Sequence, residues 1–422
     1  MKKVTRQHTK EHNRNLVFMT ILDKETVSRV EIANITHLTR TTVSGIVAEL
    51  IGEGLVQEVG FGSSTGGKSP IILSVVENAR TIIGLDLGQN QFSGAIVNLN
   101  GQLKSVTSVK VEEWDGEQEL HLVYKILDQL VEIAGKPLVG IGVAAPGLVN
   151  TKEGIVINAV NLGWHDFPLA NILHKRYQLP VCVINDSQAN AMGHYIYGRR
   201  HGKRVGSMVT TQSENANLIY HDIFNKIDGS GNLIVINAGY GIGAGIVIGG
   251  QIFQGNGWAG EIGHISVVSE NGLPCRCGNY GCLESIASEQ AIVNRMRQIA
   301  SQPKNNQTIT LDTIVEAFNN GDPKANQVVM EAATYLGQAI SSLACILNIP
   351  DVLLTGRLTR FGDPWLEVVR KAMRKTSLYG IAADTRIEIG KLDCNGFILG
   401  ATTLFSMNYS LIINPEMIRG KV

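Results

Sequence analysis

Three of the six cysteines lie within eight consecutive residues, and a histidine precedes them in the same segment. Three thiolates and one imidazole are a donor set that suits tetrahedral zinc, and short loops can bring such ligands around one ion. Glycines at positions 278 and 281 allow the sharp backbone turns that this arrangement needs. The alternative is a group of buried or reactive thiols without a metal. The sequence favours a structural zinc site with the ligands His264, Cys275, Cys277 and Cys282.

Residues 1–76 predict a winged helix-turn-helix domain, which binds DNA. Thr39 is a candidate N-cap, and apolar residues recur behind it at helical spacing. Gly54 ends this helix, and two short strands follow over 55–59 and 70–75. Helix, turn, helix and hairpin in this order are typical of the winged domain. The alternative is a small helical domain that serves dimerisation.

In such a domain the second helix of the pair enters the major groove. The early residues of this helix are an arginine and small hydroxyl side chains, which read base edges and hold phosphates. A lysine in the glycine-rich wing can reach the DNA backbone or the minor groove. The predicted DNA contacts are therefore Arg40, Thr41, Thr42, Ser44 and Lys68.

The rest of the chain alternates strands with helices, which predicts an α/β fold with functional residues at the strand ends. One apolar strand ends in Asp86-Leu-Gly88, and another begins at Leu233 and leads into the glycine run 239–245. Two segments that each open on a strand and a glycine turn indicate two lobes. The expected boundaries are 77–200 for the first lobe, 201–395 for the second, and about 396–411 for a C-terminal helix that joins the first.

With 44% hydrophobic and 18% charged residues, the chain has the composition of a soluble globular protein. Its formal net charge is zero, so nucleic-acid binding must come from a local basic patch. The basic N-terminus has no apolar run behind it, and no run elsewhere is long enough to cross a bilayer. We therefore expect a cytoplasmic protein without a membrane partner. In that reducing compartment, thiols favour a metal over disulfides.

The metal segment also resembles a family signature. It reads Gly260-Glu-Ile-Gly-His264 and then Cys275-Arg-Cys-Gly-Asn-Tyr-Gly-Cys-Leu-Glu284, which is similar to the signature of the ROK family. That family comprises bacterial sugar kinases and sugar-responsive repressors, and the resemblance covers nearly the whole chain. It implies a two-lobed actin-like ATPase (ribonuclease H-like) fold. An N-terminal DNA-binding extension is typical of the repressors, and the chain most resembles the xylose-repressor-like members.

The resemblance implies a sugar pocket, in which carboxylates, amides and imidazoles take the sugar hydroxyls in pairs. Asp186 would contribute from the first lobe, and Glu261 and Glu284 from the second. His264 would bind zinc through one ring nitrogen and leave the other free for the ligand or a carboxylate. Any one of these residues alone would be an ordinary turn former or surface charge. The implied sugar-binding positions are Gly147, Asn161, Asn185, Asp186, Glu261, His264 and Glu284.

A sugar kinase needs a base near the sugar hydroxyl and a glycine-rich cradle for the phosphates of ATP. Asp186 matches the family's base and would be the catalytic residue if the chain were a kinase. The family's kinases have threonines in both glycine turns, whereas this chain has Gln89-Asn90 in the first and Tyr240 in the second. We therefore expect no enzyme activity and no ATP cofactor. An ATP-dependent sugar kinase is the alternative.

The resemblance thus favours a repressor that binds operator DNA and is released by a monosaccharide. We expect a homodimer or homotetramer, because oligomeric repressors read pseudo-palindromic sites. A third alternative is a repressor controlled by a sugar-transport protein, as some family members are. The segment 203–231 departs from the family pattern, and we interpret it as a surface flap or an assembly element.

Overall fold

The chain divides into two compact units. The structure, a computed structural model, describes residues 6–63, 69–111, 116–135, 137–198, 231–299, 308–406 and 412. The first unit comprises residues 1–145, 150–184 and 401–422, and the second comprises residues 146–149 and 185–400. The first unit therefore holds the N-terminal region together with one α/β lobe, and the second unit holds the other lobe.

Three helices and a small sheet form the N-terminal region. The elements are α1 (Arg6–Lys24), β1 (Val27–Ser28), α2 (Arg29–Thr36), α3 (Arg40–Gly52), β2 (Val56–Phe61) and β3 (Ile71–Val75). Ser28 and Glu31 form a capping box at the start of α2. Thr39 caps α3 by accepting a hydrogen bond from the backbone N–H of Thr42. His37 turns the chain between these helices with a left-handed φ of 56°. The strands pair in the order β1-β3-β2.

The first lobe is built on a five-stranded sheet. Its elements are β4 (Thr81–Leu87), β5 (Gln91–Asn98), β6 (Leu103–Lys110), α4 (Glu117–Ala134), β7 (Leu138–Ala145), β8 (Leu148–Asn150), β9 (Ile155–Ala159), β10 (Trp164–Phe167), α5 (Leu169–Tyr177) and β11 (Val181–Asn185). The strand order is β11-β7-β4-β5-β6, in which β4 pairs antiparallel with β5 and parallel with β7. Strands β10-β9-β8 form a separate small sheet.

The second lobe has a sheet of the same size. Its elements are α6 (Asp186–Gly193), β12 (Leu233–Ala238), β13 (Ile242–Ile248), β14 (Gln251–Ile252), α7 (Glu284–Ala287), α8 (Glu289–Ile299), α9 (Leu311–Asn319), α10 (Pro323–Leu347), β15 (Asp351–Thr355), α11 (Gly362–Thr376), α12 (Tyr379–Asp384), β16 (Arg386–Ile389) and α13 (Asn395–Ser406). A buried core that includes Ile236, Leu354 and Trp365 lies between the sheet and its helices. Gly337 lets α10 and α11 pack closely, because a Cβ atom there would lie 2.4 Å from the Val369 carbonyl oxygen.

The two sheets repeat one topology. The second has the order β14-β13-β12-β15-β16, with β12 antiparallel to β13 and parallel to β15. The corresponding strands of the first sheet, β6-β5-β4-β7-β11, have the same sequence of pairings around the central strand. This duplication confirms the predicted mixed α/β class and the two-lobed actin-like fold.

The predicted lobe boundary at residue 200 differs from the division that the structure shows. Helix α6 belongs to the second unit, where it packs on β12 and β13. The contact is close, because a Cβ atom at Gly245 would lie 2.4 Å from the carbonyl oxygen of Ser187. Alternation of strands and helices does not indicate which sheet a helix covers. Asp186 therefore lies in the same unit as Glu261 and Glu284, and not in the other lobe as predicted.

Two predictions fall outside the described residues, namely the wing lysine Lys68 and the interpretation of the segment that begins at residue 203. The predicted C-terminal helix is α13, and its residues from 401 onward belong to the first unit. In the part of the chain that the structure describes, no helix combines the length and apolar character needed to cross a membrane.

Candidate functional site

The cysteine loop is a tight turn that glycine makes possible. The backbone N–H of Cys275 donates to the carbonyl of Asn279 at 2.8 Å. Gly278 and Gly281 have positive φ angles of 92° and 70°, which other residues rarely adopt. A Cβ atom at Gly281 would lie 1.9 Å from the carbonyl oxygen of Val268. Only glycine therefore fits at that position.

The four predicted metal ligands lie together, with one ligand atom of each within 4.8 Å of the others. Sγ of Cys275 lies 3.6 Å from Nδ1 of His264, and Sγ of Cys277 lies 3.7 Å from Sγ of Cys282. With Zn–S of about 2.3 Å and Zn–N of about 2.0–2.1 Å, a tetrahedral site has S···N edges of about 3.6 Å and S···S edges of about 3.8 Å. The two separations of 3.6 Å and 3.7 Å match the edges of a four-coordinate zinc site.

The histidine of this cluster also faces a carboxylate. Nε2 of His264 lies 3.9 Å from Oε2 of Glu261. Both residues belong to one 3₁₀ turn that packs directly on β13: a Cβ atom at Gly260 would lie 1.8 Å from the Ala244 carbonyl oxygen. The metal cluster and Glu261 therefore share a closely packed piece of backbone.

A second group of predicted sugar ligands lies at the start of α6. Asn185 caps this helix, since its Oδ1 accepts the N–H of Gln188 at 3.1 Å, and its Nδ2 donates to the carbonyl of Gly147 at 2.9 Å. Oδ1 of Asp186 accepts the N–H of Ser187 at 2.6 Å and its hydroxyl at 3.3 Å. The structure thus brings Gly147, Asn185 and Asp186 together within the second unit.

The carboxyl groups of the second unit act on one another electrostatically. Burial raises the pKa of Asp186 to about 6, against local hydrogen bonds and the charge of Arg276, which lower it. Burial, with added repulsion from Asp186 and Glu284, raises the pKa of Glu261 to about 7, and Arg276 again opposes the shift. The Glu261 side chain is 42% exposed, so water moderates this effect. Asp186 and Glu261 therefore both lie within electrostatic reach of one cation, Arg276.

That cation, Arg276, holds the third carboxylate. Its Nε donates to Oε1 of Glu284 at 2.8 Å, and the backbone N–H of Ile242 donates to Oε2 at 3.0 Å. The Glu284 side chain is only 10% exposed. Our sequence reasoning missed Arg276, which lies between Cys275 and Cys277. The signal that could have indicated it was a charged residue between two predicted metal ligands.

The remaining predicted sugar residue lies in the first unit. Nδ2 of Asn161 donates to Oε1 of Gln89 at 2.6 Å. Gln89 stands where the family's kinases have a residue of the first glycine turn. The first turn therefore contacts a predicted sugar ligand through the side chain of Gln89.

Two backbone donors of the second glycine turn, between β12 and β13, are bound to protein acceptors. The N–H of Gly239 donates to the carbonyl of Gly241 at 3.0 Å, and the N–H of Ile242 donates to Oε2 of Glu284 at 3.0 Å. The carbonyl of Gly239 accepts the N–H of Glu289, whose carboxylate pairs with Arg357 at 2.5 Å. Protein groups thus surround this turn.

The predicted DNA-contacting residues lie on the first turns of α3. Arg40, Thr41 and Ser44 are exposed. Thr42 is half-buried, and its hydroxyl lies 2.8 Å from the hydroxyl of Thr39. Three of the four helix positions are therefore open to a partner, and the fourth supports the helix cap.

Two ion pairs connect α3 to the first helix. Lys10 of α1 pairs with Glu49 at 2.8 Å, and Arg14 pairs with Glu53. The acidic residues at the end of α3 are thereby neutralised by α1, which leaves Arg40 as the charged group at the exposed start of the helix.

The ROK family profile matches residues 82–212 and 203–407 of this chain. A xylose repressor of Caldicellulosiruptor bescii is 31% identical over 409 residues, which cover 94% of this chain and 95% of that repressor. The similarity therefore includes both the N-terminal region and the two lobes.

Two solved structures match this chain over different lengths. A ROK family transcriptional regulator, described as a homologue of the E. coli MLC protein, superposes with a TM-score of 0.77 at 25% identity and covers 98% of this chain and 99% of that one. A ROK family glucokinase from Streptomyces griseus, in complex with glucose and AMPPNP, gives a TM-score of 0.64 at 28% identity and covers 77% of this chain and 98% of that one. The regulator thus matches a part of the chain that the glucokinase does not.

Proposed function

This chain belongs to the ROK family, and we propose that it is a transcriptional repressor that a monosaccharide releases from operator DNA. The observation that carries the proposal is the group of carboxylates from Asp186, Glu261 and Glu284 around Arg276. Carboxylates accept sugar hydroxyls without any need for catalysis. The same chain has an exposed Arg40 at the start of a capped helix, as a DNA reader requires.

The N-terminal region would act as a winged helix-turn-helix. Helices α2 and α3 form the pair, α3 enters the major groove, and the β2–β3 hairpin is the wing. Arg40, Thr41 and Ser44 would contact bases or phosphates, with Thr42 at the cap and Lys68 in the wing. Two copies in a homodimer or homotetramer would read the two halves of a pseudo-palindromic operator.

Zinc would be held by the four residues of the cluster and would have a structural role. Four protein ligands leave no coordination position for water or sugar. What the ion supplies is a fixed loop, since structural zinc contributes free energy to local folding. His264 would carry that constraint to Glu261 across the 3.9 Å contact.

The surroundings of the glycine turns support a protein without kinase activity. Phosphate binding needs free backbone donors, and two donors of the second turn, those of Gly239 and Ile242, are bound to protein acceptors. Tyr240 replaces the small hydroxyl residue of the family's kinases. Asp186 would then bind sugar but transfer no phosphate. An ATP-dependent sugar kinase is the competing function, and a coupled ADP-release assay with D-glucose distinguishes the two.

D-Xylose is the first candidate sugar, because a relative that matches nearly the whole chain is a xylose repressor. A thermal-shift screen of pentoses, hexoses and amino sugars tests this choice. Ligand at 100 times Kd adds about 2.7 kcal/mol of stability, which is readily measured. The full test is release of the purified repressor from its operator by the selected sugar. Sugar binding without any change in operator affinity would contradict the proposal.

A further inference from the structure

Arg276 stands between two metal ligands in the sequence, but its side chain points to the pocket carboxylates. We infer that Arg276 is the positioning residue that joins the metal loop to the sugar pocket: it fixes Glu284 and supplies the counter-charge for the surrounding carboxylates. The inference rests on the proposed sugar site and adds to it a residue that no sugar need contact.

Hydrogen bonds fix the Glu284 carboxylate in its ion pair with Arg276. Both carboxylate oxygens of Glu284 are in use, one by the guanidinium and the other by the N–H of Ile242. The Glu284 side chain is 10% exposed, so water cannot replace a lost partner. Without the guanidinium, Oε1 of Glu284 would lose its partner and the carboxylate would be free to rotate.

The second glycine turn also packs against the ion pair of Arg276 and Glu284. A Cβ atom at Gly241 would lie 2.5 Å from Oε2 of Glu284 and 3.1 Å from an Nη atom of Arg276. The backbone therefore covers the Glu284 end of the ion pair, and glycine at 241 is required by this contact. A side chain at that position would displace the pair without touching any metal ligand.

The charge of Arg276 also extends to the other carboxylates. It opposes the upward pKa shifts of both Asp186 and Glu261, whereas Asp186 and Glu284 reinforce the shift at Glu261. Three mutually repelling carboxylates cannot be balanced by a neutral sugar, which brings no charge. A cation carried by the protein reduces this repulsion.

The fixed fork of arginine suits this role better than lysine. A guanidinium donates in one plane and keeps its charge, whereas an ammonium is a point charge on a flexible stem. Arg276→Lys should therefore restore part of what Arg276→Met removes. If Arg276 only filled space, Arg276→Met should bind sugar better than Arg276→Lys, because methionine is the closer match in apolar volume.

The experiment measures zinc content, operator affinity and sugar affinity on the full chain for four proteins. They are the wild type, Arg276→Met, Arg276→Lys and, as a control on the surface of α11, Arg374→Met. The probes are D-xylose and D-glucose, titrated by calorimetry. We expect Arg276→Met to keep one zinc per chain and wild-type operator affinity but to bind sugar at least tenfold more weakly. Arg276→Lys should fall between it and the wild type.

Gly241→Ala provides a second variant that leaves the metal loop unaltered. It should also weaken sugar binding at least tenfold with full zinc content. Wild-type sugar affinity in Arg276→Met would overturn the inference and leave the proposed function intact. Loss of zinc from Arg276→Met would overturn it in favour of a role in folding the loop. If the wild type binds neither D-xylose nor D-glucose nor any other sugar in the screen, the proposed function is rejected, and this inference is rejected with it.

Discussion

Nε2 of His264 lies 3.9 Å from the carboxylate of Glu261, while Nδ1 of the same ring faces the thiol cluster. One imidazole thus contacts both the predicted metal site and the predicted sugar site. A metal that fixes Nδ1 also fixes the direction in which Nε2 points. The orientation of a predicted sugar-binding carboxylate would then depend on an ion that the sugar does not touch.

Loss of the metal should therefore disturb sugar binding. Cys277→Ser should reduce zinc from one ion per chain to none, because three remaining ligands hold the ion poorly. Local folding should weaken, since structural zinc contributes on the order of 10 kcal/mol in small domains. Metal analysis and sugar titration measure the two effects. Cys345→Ser, at an exposed thiol of α10, is the control. Zinc-free wild-type protein with normal sugar affinity would show that the ion is dispensable.

Glu261→Ala should separate sugar response from DNA binding. A hydrogen bond to a charged group contributes about 1.5–3 kcal/mol, so sugar affinity should fall about 10- to 100-fold. Operator affinity without sugar should stay within a factor of two of the wild type. The measurement is operator binding at increasing sugar concentration. Glu270→Ala, on the exposed stretch of the same segment, is the matched control. If Glu261→Ala is released as readily as the wild type, the inducer binds elsewhere.

The raised pKa of Asp186 predicts the direction in which stability changes with pH. Its value of about 6 in the folded chain lies above the ordinary value of about 3.9, so the folded state binds the proton more tightly. Stability should then fall as pH rises from about 4 to 6 and stay lower above that. Asp186→Asn should remove this cost and stabilise the chain above pH 6 by roughly 1–3 kcal/mol.

Urea unfolding at pH 5.5 and pH 8, with excess zinc, measures the effect. Asp384→Asn, at an exposed position of α12, should change nothing at either pH. Whereas stability should fall with rising pH, sugar affinity should increase as pH rises through about 6, because the ionised Asp186 carboxylate is the better acceptor. An Asp186→Asn variant less stable than the wild type at pH 8 would show that the carboxylate is not buried at a cost.

Sequence reasoning can group site residues where they are near one another in the chain. The metal ligands lie within a short segment and have a characteristic spacing, so they could be predicted together. Contacts between distant segments could not. Asn161 and Gln89 are 72 positions apart, and no periodicity pairs them. The sequence also did not show that α6 packs in the second unit, because that packing depends on the glycines of β13, such as Gly245.

Arg40→Ala should weaken specific DNA binding by roughly 1–3 kcal/mol if the guanidinium reads a guanine. The exposed position of Arg40, with no acidic residue in the first turn of α3, favours such a contact. Lys68→Ala should instead weaken binding to all sequences and reduce its salt dependence. Titrations on operator and random duplex at several salt concentrations separate the two. Arg29→Ala is a control, since Arg29 already pairs with Glu58 at 2.9 Å.

The segment between the N-terminal region and the first lobe is bound along its length. The carbonyl of Glu77 accepts the N–H of Leu99 at 3.1 Å, and Oδ1 of Asn78 accepts Nζ of Lys104 at 2.7 Å. Nε of Arg80 donates to the carbonyl of Ile412 at 3.2 Å. The N-terminal region is therefore attached to its lobe by a fixed connection, through which a change in the lobe can reach the DNA.

Insertion of Gly-Ser-Gly between Glu77 and Asn78 should loosen that connection and uncouple the two activities. We expect sugar and operator each to bind with near wild-type affinity, while sugar no longer releases the operator. Linkage requires that operator then also cease to weaken sugar binding, so both titrations must agree. The same insertion after Gly321, in the exposed turn between α9 and α10, should leave release unchanged. Normal release by the first variant would mean that the sugar signal reaches DNA by another route.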